Sequence, residues 1–84
     1  MLGQVPTATL SGIVYDPDGS PEPDATVSVL DTPVSPVQSD ADGMYSLELP
    51  ISQIYAIQAI KPGVGAIVTQ VEVIEDTVHD LILL

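Results

Sequence analysis

LSGIVYDPDGSPEPDATVSVLDTPVSPVQSDADGMYSLEL, residues 10–49, alternates apolar and polar positions, breaks, alternates again, and closes in MYSLEL. A period of two marks a strand with one buried face. The first break, Asp16 to Asp24, is turn chemistry. Proline presets φ there, Gly19 tolerates a positive φ, and aspartate side chains cap amides. Ala25 to Leu30 predicts a second strand with Ala25, Val27 and Val29 on one face. Asp31 to Pro36 is a proline-broken loop, and Val37 to Ser39 a short strand. Asp40-Ala41-Asp42-Gly43 predicts a hairpin turn into Met44 to Leu49, with Tyr45, Leu47 and Leu49 inward.

Outward from this stretch the pattern continues. Thr7 to Tyr15 predicts the first strand, with Leu10, Gly12 and Val14 facing one way and Ile13 and Tyr15 the other. A glycine in mid-strand marks a bulge or a close backbone approach. Residues 1–6 read as an arm. Downstream, Ile54 to Lys61 is apolar at nearly every position, which predicts a strand either central or covered on both faces, favoured over a short helix by its β-branched residues and the turn that follows. A Lys-Pro-Gly-Val-Gly turn leads to Ala66 to Ile74, and Glu75-Asp76-Thr77 turns into Val78 to Leu84. That apolar tail must pack in the fold or against a neighbour. About seven short, evenly spaced strands predict a seven-stranded antiparallel Greek-key β-sandwich. It occupies residues 7–84 as a single domain.

Composition excludes several functions. Twelve acidic residues face one lysine and no arginine, for a formal net charge of −11. Phosphate neutralisation needs Lys and Arg, so nucleic acid and anionic membranes are poor partners. No apolar run approaches the ~18 residues of a membrane span. The start, MLGQVPTATL, has neither a basic nor a hydrophobic signal region, so no signal peptide is expected. Cysteine is absent, which excludes disulfides and thiolate metal sites. Charged residues make up 15% of the chain, against about 25% in an ordinary protein. Serine, threonine and proline account for part of that shortfall. The alternative explanation is surface covered by other subunits.

The motifs resemble those of the carboxypeptidase regulatory-like domain, a transthyretin-like (prealbumin-like) β-sandwich. Gly12, Val14, Asp16, Gly19 and Pro21 stand in its first element, and Ala25, Val27 and Val29 in its second. Asp40, Gly43, Tyr45 and Leu47 fill its turn-and-strand element, and Pro62-Gly63 closes its apolar strand. The resemblance covers about residues 10–63, and the last two strands fit more loosely. It implies an accessory module, used beside peptidases, in cell-surface proteins and transporters, and in virion proteins. It brings no catalytic residues. Related collagen-adhesin repeats crosslink a Lys to an Asn; this chain has no Asn.

Candidate chemistry is sparse. Asp16, Asp18, Ser20, Glu22 and Asp24 space their oxygens on alternate residues, as a calcium loop does. Asp16, Asp18, Glu22 and Asp24 are thus the candidate calcium ligands. Against them, Gly19 comes early, prolines stiffen the loop, and Val27 stands where a bidentate Glu would close it. Solvated turn residues are the plainer reading. His79, the single histidine, sits beside Asp80 with no nucleophile motif near it. An exposed strand residue explains it better than a hydrolase triad does. The tyrosines offer a sugar platform, but Tyr45 and Tyr55 fit a core better.

These observations point to a non-catalytic structural protein that docks into a larger homo- or hetero-oligomeric assembly, with no cofactor unless calcium binds. A virion surface or decoration protein is one concrete form. The alternative is a cell-surface or secreted adhesion module binding calcium or carbohydrate. The candidate interface is the N-terminal arm, Leu2, Val5 and Pro6, with the C-terminal Ile82, Leu83 and Leu84.

Overall fold

A computed structural model describes residues 6–84. Eight strands follow the chain: β1 (Thr7–Tyr15), β2 (Thr26–Val29), β3 (Val37–Gln38), β4 (Met44–Pro50), β5 (Gln53–Lys61), β6 (Gly65–Val73), β7 (Thr77–Val78) and β8 (Leu81–Ile82). They form two four-stranded sheets. One has the order β4-β1-β7, with β8 also paired to β1; the other runs β3-β2-β5-β6. The chain crosses between the sheets after β1, β3, β4 and β6, so the layers are interwoven. The fold is an all-β sandwich.

Alternation builds the core. Ala8, Leu10 and Val14 of β1 and Tyr45, Leu47 and Leu49 of β4 face Val27, Val29, Tyr55, Ile57, Ala59, Val71 and Val73 of the other sheet. Leu10, Leu49, Ile57, Val14, Val27 and Val73 are fully buried. Each aliphatic of this size contributes about 1.5–3 kcal/mol on burial. Without Phe or Trp, the layer is filled almost wholly by branched aliphatics.

Three expectations need correction. There are eight strands rather than seven, and β7 and β8 lie parallel to β1, so the first sheet is not wholly antiparallel. The segment Val78–Leu84 splits because the Asp80 side chain stands in for the main chain. Its Oδ1 accepts the Ile13 N–H at 2.9 Å, the place a strand carbonyl would take. Of the two readings of β5, the central one holds: it lies between β2 and β6, with its Tyr55, Ile57 and Ala59 face buried and Ile54 on the other face 64% exposed.

The two Asp-x-Asp-Gly stretches fold alike. In each, the first aspartate Oδ1 accepts two amides at 2.9 Å: Asp18 and Ser20 on Asp16, and Asp42 and Met44 on Asp40. Gly19 and Gly43 close the turns at φ of 90° and 79°. A side chain there would be strained.

Candidate interaction surface

The last segment, residues 76–84, forms a strap along β1. Asp76 Oδ1 accepts the Thr9 N–H at 2.8 Å, and four residues on, Asp80 does the same for Ile13. Between them the His79 N–H donates to the Ser11 carbonyl, and beyond them the Leu83 N–H donates to Tyr15. Gly12 makes the contact possible. It faces the sandwich interior, and a Cβ on it would overlap the His79 carbonyl. Tyr45 lies directly opposite Gly12 on β4. Its hydroxyl donates to the same His79 carbonyl, so the ring spans β1 where the glycine leaves room.

Burial, and then the nearby Asp80 carboxylate, push the Tyr45 phenol well above its ordinary range. Burial also raises Tyr55, whose hydroxyl donates to the Pro50 carbonyl at 2.6 Å. In the unfolded chain tyrosines ionise near ~10. Above that pH the unfolded state holds fewer protons than the folded state, so stability must fall as pH rises. For Tyr45 the slope approaches ~1.4 kcal/mol per pH unit, and Tyr55 adds to it in the same direction. Urea midpoints measured from neutral to strongly alkaline pH should fall from about pH 10 upward. Tyr45→Phe should flatten that decline; an unchanged slope would remove Tyr45 as its source.

The acidic turns are tied to the fold in the same economical way. Asp16 is spent on its own turn's amides, and Glu22 lies 3.9 Å from Lys61 Nζ. Asp18 and Asp24 are exposed. Asp16, Asp18, Glu22 and Asp24 do not converge, and among the described residues no group of three or more acidic or histidine side chains is placed to hold a metal ion. Ser39 was not singled out by its sequence, yet it clamps this end. Buried, it accepts the Ala25 N–H at 2.9 Å and donates to the Glu22 carbonyl at 2.6 Å.

Leu2 and Val5 lie outside the described residues. Pro6 is exposed, and its carbonyl accepts the Ile51 N–H at 3.1 Å. The three C-terminal residues divide. Leu83, expected at the interface, is fully buried in the sandwich and has no surface to offer a partner. Ile82 and Leu84 are exposed at 53% and 82%. The strand pairing sets Ile82 beside Tyr15, Val78 beside Ser11 and Met44 beside Ile13, all on the outer face of the first sheet. Val78, 77% exposed, and Met44 give that face an aliphatic surface. Ile54, Ile60 and Val68 do the same for the outer face of the second sheet, where β5 and β6 carry a single charge, Glu72. Proline-poor, alternating strands foretold the inner faces; nothing in the alternation separates a bare outer face from a covered one.

Shallow depressions of about 390, 300 and 210 Å³ mark the surface. His79 and Asp80 line the second, with Thr69 and aliphatic neighbours, and neither serine nor lysine joins them. Asp80 is already engaged with the Ile13 amide, and the His79 main chain with Ser11 and Tyr45.

Against individual curated proteins the chain finds no match. A family model does match, that of the carboxypeptidase regulatory-like domain, over residues 9–83. It runs from β1 through the strap, taking in the last strands that the motifs alone reached only loosely. Domains of this kind are in general non-catalytic. A match over nearly the whole sandwich, strap included, makes this chain a member of the carboxypeptidase regulatory-like domain family.

Proposed function

We propose that this chain is a non-catalytic structural subunit that docks, through the outer face of its first sheet, into a larger assembly of protein subunits. One observation carries the reading: Met44, Val78 and Ile82 stand exposed on that face of a chain of net charge −11. A freely dissolved domain with so many acids has the means to place charge on that face. Instead four of its aspartates, at 16, 40, 76 and 80, are used to hold main-chain amides. Apolar surface left open in this way is characteristic of protein–protein contact. A virion surface or decoration protein is the concrete form the reading favours, since such a subunit works by attachment alone.

The test is binding. Co-sedimentation of the chain with the particle or complex it is found with should be abolished by the pair Val78→Asp and Ile82→Asp, with the β-sheet circular dichroism unchanged. Undiminished binding by that variant would remove this face from the interface. Failure of the parent chain to bind any particle would end the assembly reading.

A further inference from the structure

An open sheet edge carries main-chain donors and acceptors that another strand can take up, and folded proteins guard such edges. Three of the four edges here are guarded. On β4, Met44 is occupied by Asp40 through both its N–H and its carbonyl, Pro50 has no N–H, and Glu48 adds a charge. β3 is two residues long and follows Pro36. β7 and β8 are two residues each, with Asp80 between them. β6 is different: nine residues, GAIVTQVEV, with no proline and one charge.

The hydrogen bonds show which of its groups are free. Ala66 exchanges its N–H and carbonyl with Leu84 at 3.3 and 3.1 Å, on the side away from β5. The even-numbered residues of β6 therefore point their main chain outward, while the Val73 carbonyl points inward to Ser52. Leu84 covers the first even position. The N–H and carbonyl groups of Val68, Gln70 and Glu72 have no partner among the described residues.

We propose that this edge pairs with the same edge of a second copy, antiparallel about a two-fold axis at Gln70. In that register Gln70 meets its own counterpart, and Val68 of each copy meets Glu72 of the other. All the free donors and acceptors are then matched, and none is left over. The paired segment begins where Leu84 stops and ends where β6 ends. A depression of about 300 Å³, lined by Ile67, Thr69 and the strap, separates this part of β6 from the strap.

Electrostatics permits the pairing despite the charge. Glu22 lies beside Lys61, so the turn of residues 16–24 sits at the β5–β6 hairpin end, while Glu75 and Asp76 follow the other end of β6. An antiparallel two-fold sends the two 16–24 turns to opposite extremes and brings Glu75 and Asp76 of each copy toward the hairpin end of the other. The two Glu72 residues fall four positions apart, ~14 Å along the strand, beyond the ~8 Å screening length at physiological salt. Residual repulsion between the acidic copies predicts that added salt strengthens the dimer.

The proposal deepens the assembly reading by naming one partner, and either can fail alone, because it uses the opposite sheet. Sedimentation equilibrium should show a concentration-dependent dimer of the 8.8 kDa chain, favoured by salt. Gln70→Pro, which deletes the central donor of an edge strand, should weaken it about tenfold or more. Val68→Glu sets like charges directly opposite Glu72 and should weaken it. Val68→Lys sets opposite charges there and should tighten it. Hydrogen exchange should protect the amides of Val68, Gln70 and Glu72 only as concentration rises, while circular dichroism stays constant across the variants. A monomer at every concentration and salt, a dimer that leaves those amides exchanging freely, or Val68→Lys and Val68→Glu shifting it alike would overturn the pairing.

Discussion

Replacing Gly12 by alanine should cost about 3 kcal/mol or more of folding stability, a large share of what so small a domain possesses. The glycine is not in the left-handed region; the constraint is space. A Cβ at this position would overlap the His79 carbonyl oxygen and lie 2.7 Å from its carbon and 3.0 Å from Asp80 Oδ1. The two nearest are main-chain atoms, and the third, Asp80 Oδ1, is held by the Ile13 amide. Relief requires the strap to lift from β1, and lifting it breaks three bonds together. These are the Tyr45 hydroxyl to His79, the His79 N–H to Ser11, and the Ile13 N–H to Asp80. Leaving a buried polar group unpaired costs about 1–3 kcal/mol, and less where water reaches it, as at the exposed Asp80 bond. Urea unfolding of Gly12→Ala should show a markedly lower midpoint. A midpoint within ~0.5 kcal/mol of the parent, the range of ordinary surface changes, would mean that the strap gives way freely.

Leu83→Ala should be comparably severe, at about 2–5 kcal/mol, while its neighbour Leu84→Ala should change stability by no more than ~0.5 kcal/mol. Leu83 is fully enclosed, and Leu84 is 82% exposed. Truncating the first leaves a cavity between the sheets. Truncating the second leaves untouched its main-chain bonds to Ala66. The pair separates two roles that adjacent leucines share in the sequence. Equal effects in thermal unfolding would overturn the assignment of Leu83 to the core and Leu84 to the surface.

Much of the fold could be read from the chain because a strand of this sandwich buries every second residue. Val27 and Val29, or Tyr45, Leu47 and Leu49, announce both the strand and its inner face. The Asp-x-x-Gly turns were legible as turns, since a positive φ calls for glycine and a nearby aspartate caps the amides; the one at Asp40, expected to close a hairpin, instead carries the chain from β3 in one sheet to β4 in the other. Gly12 was read as a bulge or a close approach; it is a close approach, and what approaches it comes from 67 positions later, at His79. Asp76 and Asp80 looked like a solvated turn and a charge beside a histidine. That they accept the amides of Thr9 and Ile13 depends on long-range pairing, which local pattern does not carry. The same blindness bears on β5: its apolar run implied a place at the centre of a sheet or cover on both faces, and local pattern cannot say which of the two the fold uses.

The direction of the strap has a mechanical consequence. β1 begins at Thr7 and the strap leaves past Tyr15, with the two running side by side in the same sense. Tension between the ends of the sandwich therefore pulls the two strands lengthwise past each other. The links from Asp76 to Thr9, His79 to Ser11, Asp80 to Ile13 and Leu83 to Tyr15 bear that load in shear, all at once. Peeling them open singly, as a zipper opens, requires a pull from the side. A module anchored by its two ends would on this geometry resist stretching far better than it resists prying.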